Sequence, residues 1–169
     1  MHVTPRVTLH LATAIGLSGG MAWAAESEQS QLATALPKVG VTLQQGLTAS
    51  ASTGRPISGK FELEDGKLQL SIYTTKAGKY SEVVVDYHAG KIAETDAISA
   101  GDDLVAAQAQ AAAMSKAKGT LSAAVDRAEH SAAGYRAVSV APTNKGGHVV
   151  ATVNLVDGPK SKSVDEPLN

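Results

Sequence analysis

From Phe61 the chain alternates between apolar and polar side chains. Phe61 and Leu63 fall on one side of a ribbon and Glu62 and Glu64 on the other, which is the period-two signature of a half-buried strand. Asp65-Gly66 follows, a dipeptide that accepts the positive φ angles of a two-residue hairpin loop. With those two residues as the loop, Leu63 faces Leu68 and Phe61 faces Leu70 across a strand pair. A helix would rotate about 100° per residue and scatter the same apolar positions around its circumference. The pattern therefore predicts a hairpin. A third strand with Val83, Val85 and Tyr87 on one face follows the Lys76–Lys79 turn, against Glu82, Asp86 and His88 on the other. The turn His88-Ala-Gly-Lys91 then leads into Ile92-Ala-Glu-Thr95. Later in the chain, Val138 and Val140, then Val149 to Val156, then a short segment around Val164 repeat the scheme, with turns at Asn144–Gly147 and Asp157–Pro159.

Elsewhere the period lengthens to that of a helix. Thr42 and Gln45 have the spacing of a capping box, and Leu43, Leu47 and Ala51 recur at four-residue intervals behind them. Thr120 reads as a second N-cap, with Leu121, Val125 and Ala132 supplying the apolar stripe behind it. Between these lies an alanine-rich stretch, Asp102 to Lys118, with acids at its start, lysines at its end and Gly119 beyond. That order suits the helix dipole and a glycine C-cap. Thr42-Leu-Gln-Gln-Gly-Leu47 matches Thr120-Leu-Ser-Ala-Ala-Val125, and with alternating strands after each the two read as a duplicated unit. The expected fold class is α+β: two small units, each one helix packed on an antiparallel meander, joined by the alanine-rich helix packed along one of them.

The segment Gly54-Arg-Pro-Ile-Ser-Gly-Lys60 has the outer glycines and lysine of a phosphate loop. A phosphate loop runs from a strand into a helix and needs Ser or Thr after its lysine. Here a helix precedes, a strand follows, and Phe61 stands after the lysine. Gly54 and Pro56 are instead expected to end the helix and turn the chain, with Gly59 and Lys60 opening the strand.

Composition changes the picture in three ways. The 15 basic and 16 acidic residues nearly balance, which gives no footprint for nucleic acid or an anionic membrane. No cysteine is present, so disulfides, thiol nucleophiles and thiolate metal sites are excluded. Aromatics make up only 4%, so the core must come from Val, Leu, Ile and Ala. The first 24 residues have the layout of a secretory signal: Arg6 near the start, an apolar middle from Val7, then Ala22-Trp23-Ala24. Cleavage is expected after Ala24. The glycines at 16, 19 and 20 interrupt the apolar run before it reaches the ~20 residues of a bilayer span. The domain plan is then residues 1–24 as signal, 25–100 as the first unit, and 101–169 as connector plus second unit, in a periplasmic or secreted protein.

Candidate chemistry is sparse. His88, His130 and His148 show no ligand spacing. Asp86 and His88, on one side of a strand, are the nearest approach to a metal pair, and two ligands seldom hold a metal. No serine stands in a nucleophile elbow. Glu62/Glu64 reads as a solvated strand face and Asp102/Asp103 as a helix start. No catalytic, cofactor or metal residue is assigned.

The helix, the hairpin, and Tyr80-Ser-Glu-Val-Val-Val-Asp-Tyr-His-Ala-Gly-Lys-Ile92 together resemble the PepSY domain, with Val84-Val85-Asp86 and Gly90-Lys91-Ile92 in its most recognisable stretch. Ala89 replaces the threonine common before the glycine. The second copy keeps Thr120-Leu121, Gly134, Val138, Gly146-Gly147 and Val164-Asp165 and lacks the glycine-lysine turn. The resemblance implies a non-catalytic module, without cofactor, that binds another envelope protein and modulates a peptidase in trans. A small-molecule or metal-binding envelope protein is the competing expectation.

Overall fold

The computed structural model describes residues 31–64 and 66–169. The signal predicted over residues 1–24, with its cleavage point, lies outside the described residues, as does Asp65 of the first hairpin loop. A helical stretch over residues 31–35 runs into a 3-10 turn, Leu36–Lys38. Thr42 then starts α1 (Leu43–Ser50). Its hydroxyl accepts from the Gln45 amide at 3.2 Å, and the Gln45 side chain accepts from the Thr42 amide at 2.7 Å. The expected capping box is therefore closed, and two otherwise orphaned donors are satisfied.

Seven strands follow in two runs: β1 (Arg55–Glu64), β2 (Lys67–Lys76), β3 (Lys79–Val85) and β4 (Ile92–Ile98), then β5 (Arg136–Lys145), β6 (His148–Asp157) and β7 (Lys160–Pro167). Between the runs lie α2 (Gly101–Lys116) and α3 (Leu121–Ser131), the latter capped by Thr120 through the Ala123 amide. The strands make one antiparallel sheet in the order β4-β3-β2-β1-β5-β6-β7. The first hairpin has the anticipated register, Leu63 opposite Leu68 and Phe61 opposite Leu70. The two runs join where β1 meets β5, a narrow contact that pairs Gly59 with Val140 and Lys60 with Ser139.

Alternation sorts the side chains onto two faces. Phe61, Leu70, Ile72, Val83 and Val85 share one face with Val140, Val153 and Leu155, all buried. α1 and α3 lie side by side on it, with Leu43, Leu47, Leu121 and Val125 pointing down. Each such aliphatic side chain contributes roughly 1.5–3 kcal/mol by leaving water. Gly59 permits this closeness: a Cβ there would stand 2.6 Å from Ile72 Cδ1 and 3.4 Å from Leu43 Cδ1. Gln44 of α1 ties the two helices by donating to Asp126 at 3.0 Å and Glu129 at 2.7 Å. Arg136, at the start of β5, donates to the Leu36 and Val41 carbonyls and lies over the Phe61 ring, so the segment before α1 is held by the second run of strands.

Several expectations are corrected. The connector α2 does not lie along one unit. It packs on β2, β1, β5 and β6 across the junction. Ser58, whose neighbour Gly59 faces α1, donates to Gln110 of α2 at 2.7 Å, so α2 covers the opposite face of the sheet. Helix α2 also stops at Lys116, with Ala117 extended as its C-cap. Gly119 is therefore no C-cap. It lies against Leu168, whose carbonyl accepts from the Lys118 and Gly119 amides. Strand β1 begins at Arg55 rather than Gly59, because a register irregularity between Pro56 and Ser58 accommodates the proline inside the strand. Ala51 is an exposed C-cap, and Ser50 takes the buried place. Tyr87 lies beyond the end of β3.

Candidate functional site

The residues singled out by sequence are dispersed. Asp86 is structural: its carboxylate accepts from the His88 amide at 2.8 Å and the Ala89 amide at 3.0 Å, closing the turn from β3 to β4. Those two hydrogen bonds hold its carboxyl below the ordinary carboxylate range. His88 stacks beside Tyr87, with ring centroids 4.5 Å apart. His130 Nδ1 lies 2.9 Å from the Asp126 carbonyl and His148 Nδ1 lies 3.1 Å from Asn169 Nδ2, so the three histidines do not converge. Among the described residues no group of three or more His, Asp or Glu is placed to hold a metal ion. Lys60 of the phosphate-loop look-alike pairs with Glu62, and Gly54 lies against the Thr75 carbonyl, where a Cβ would come within 2.7 Å.

Concave surface is equally limited. An open groove of about 430 Å³ runs between α1 and the Ala89-Gly90 turn, bordered by Val41, Gln44, Gln45 and Thr48. Its polar side chains have local work: Gln45 in the capping box, Thr48 donating to the Gln44 carbonyl at 2.9 Å, and Gln44 bridging to α3.

The face covered by α2 gathers more chemistry. Glu62/Glu64 was read as a solvated pair, yet this face is partly enclosed: Ser58, Ser71 and Tyr73 are buried. Register sets Tyr73 of β2 opposite Glu82 of β3, and Glu82 opposite Asp96 of β4. The result is one row across three strands, ending at the sheet edge, with Glu94 two residues from Asp96 on the same face. Tyr73 is 4% exposed. Its hydroxyl lies beside Glu82 without completing a hydrogen bond, and burial pushes its pKa far up, so it stays protonated. Glu82 is also pushed up, chiefly by burial and further by Glu62 and Glu64, against the opposing effects of Ser71 and Lys60. Gln69 donates to it at 3.3 Å. Among the described residues, the ion pairs are Lys60–Glu62, Arg127–Glu166 and Lys145–Asp165, so no cation pairs with Glu82, Glu94 or Asp96.

Sequence reading missed this row. Its signal was present in Gln69-x-Ser71-x-Tyr73, an aromatic on the polar side of an alternating strand. Strand β4, where the row ends, is exposed along nearly its whole length. Among the described residues none of its side chains makes a hydrogen bond or ion pair. No helix among the described residues is long and apolar enough to cross a membrane. Compared with known proteins, the chain matches no family model, no curated protein and no solved structure.

Proposed function

We propose that this chain is a non-catalytic, exported, PepSY-like module that binds another envelope protein in the periplasm and modulates a peptidase in trans. The observation that carries the reading is the open sheet. Its outermost strands are unpaired on one side, and β4 presents a row of backbone donors and acceptors with its side chains exposed. Such an edge is a template onto which an extended segment adds as a further strand. The succession of a threonine-capped helix and an antiparallel meander, occurring twice, supports the two-unit form of the reading, as does the Asp86–Lys91 turn. The dispersal of Asp86, His88, His130 and His148 fits binding better than chemistry.

The test is photo-crosslinking in the native envelope from probes at Ile92 on β4, Val105 on α2 and Ser163 on β7. One envelope protein should be recovered repeatedly, and adding this chain should change the activity of a recovered peptidase. Absence of any adduct above background at all three positions overturns the reading. Export is tested separately: the mature N-terminus should be Ala25, and retention of Met1 in the cytoplasm would sink that part.

A further inference from the structure

We infer that β4 is the docking edge and that its partner is an extended segment with basic side chains at alternate positions. The inference rests on the binding reading above and adds the place and the chemistry. Two observations carry it independently. The first is geometric: β4 is seven residues long, regular from Val84 outward in its pairing with β3, and without proline or lysine within it. Natural edge strands are commonly blunted by such residues. The second is electrostatic. Glu94 and Asp96 point to the face that also holds Glu82, and Asp96 lies directly opposite Glu82. Like charges in directly opposed positions disfavour the sheet; Lys60, itself paired with Glu62, offsets Glu82 only in part, and among the described residues no cation pairs with Glu94 or Asp96. The buried Tyr73 hydroxyl, still without a hydrogen-bond partner, ends the same row on its inner side.

An added strand would set its own residues opposite Glu94 and Asp96. Lysine or arginine there completes the row with opposite charge, while Ala93, Thr95 and Ala97 leave room for apolar side chains on the other face. A second copy of the chain is the wrong occupant. Antiparallel pairing of two β4 strands in the register with full overlap centres on Thr95, and sets Glu94 against Asp96 twice.

The experiment uses the full mature chain and a seven-residue peptide alternating lysine with valine. Affinity is read by fluorescence anisotropy and location by residue-resolved amide exchange. The expected result is saturable binding that slows exchange in β4 but not in β7. The paired variant Glu94→Lys with Asp96→Lys, both at exposed positions, should weaken binding about tenfold or more. The same variant should acquire affinity for the glutamate–valine counterpart. A lysine–valine peptide interrupted by proline should lose binding at unchanged charge density. The inference is overturned if the charge-reversed variant binds the lysine peptide as before, if the proline peptide binds equally, if protection appears at β7, or if the chain dimerises through β4. These results are separable from failure of the general reading, since crosslinks at Val105 or Ser163 without any at Ile92 would preserve a binding role and discard this edge.

Discussion

The two edges of the sheet are built on opposite plans. β7 is tied down by side chains: Arg127 of α3 donates to Glu166 and to the Pro167 carbonyl at 2.8 Å each, Lys145 and Thr152 hold Asp165, and Lys162 lies 4.9 Å over the Tyr135 ring. Lys160, Lys162 and Pro167 are also the residue types that discourage further strand addition. β4 has none of this. Following the meander order, β7 occupies the place in the second run that β3 occupies in the first, so β4 is the strand without a counterpart. An edge that closes the fold needs fastening, whereas an extra strand outside a completed core does not, and is available for other work.

The sharpest way to break this comparison is to weaken each edge at its inner end. Leu168 is fully buried just past β7, donates its amide to the Val149 carbonyl and accepts at the start of α3. Leu168→Ala should cost about 2–5 kcal/mol in a urea melt, through lost burial plus a cavity. Ile98→Ala at the half-exposed end of β4 should cost about 1 kcal/mol. Equal losses would show that both edges are integral to the core.

A smaller difference is expected from the polar ties. Arg127→Ala removes an exposed ion pair and a hydrogen bond to a carbonyl, together about 0.5–1 kcal/mol. Amide exchange should quicken in β7 before the rest of the sheet. Glu94→Gln should leave stability unchanged or raise it slightly, because it removes a like charge. Loss of stability in that variant would mean that β4 is fastened by its carboxylates after all.

How far these features could be read in advance follows from what alternation encodes. Period two fixes which face a side chain takes, so Leu63–Leu68, Phe61–Leu70 and the division of Val83 from Glu82 were legible, as were the threonine caps, whose partners are three residues away. Alternation does not name a strand's neighbour. The union of the two runs depends on two backbone-paired positions in β1 and β5, with glycine at one of them, and leaves no pattern in either segment. The placement of α2 was hidden for a related reason: its buried face is small, chiefly Ala107 and Met114, and the sheet face beneath it reads as polar. The acidic row needs three strands in register before Tyr73, Glu82 and Asp96 align, although their faces were each readable. Pro56 was misjudged as a turn because its exemption, a register irregularity in β1, is a tertiary feature.

The smallest expected effects concern pH, and there the edges differ in sign. Glu82 is held above its ordinary value of about 4.5 in the folded protein. A carboxyl raised on folding favours the folded state most when protonated, so its contribution is fully present below the ordinary value and is lost as pH rises through the raised one. Asp165 is held below its ordinary value of about 3.8, first by its hydrogen bond from Lys145 and then by that from Thr152. Its contribution is present above that value and is lost as pH falls through the lowered one. Glu82→Gln should therefore raise the Tm at neutral pH, with an advantage that closes on acidification toward about 4.5. Asp165→Asn should lower the Tm at neutral pH by a modest, salt-sensitive amount, and the deficit should persist until the pH passes below about 3.8. Curves that shift in the same direction would mean that β4 carries its acidic row under the same compensation as β7, and the reason to expect a cationic strand at that edge would be gone.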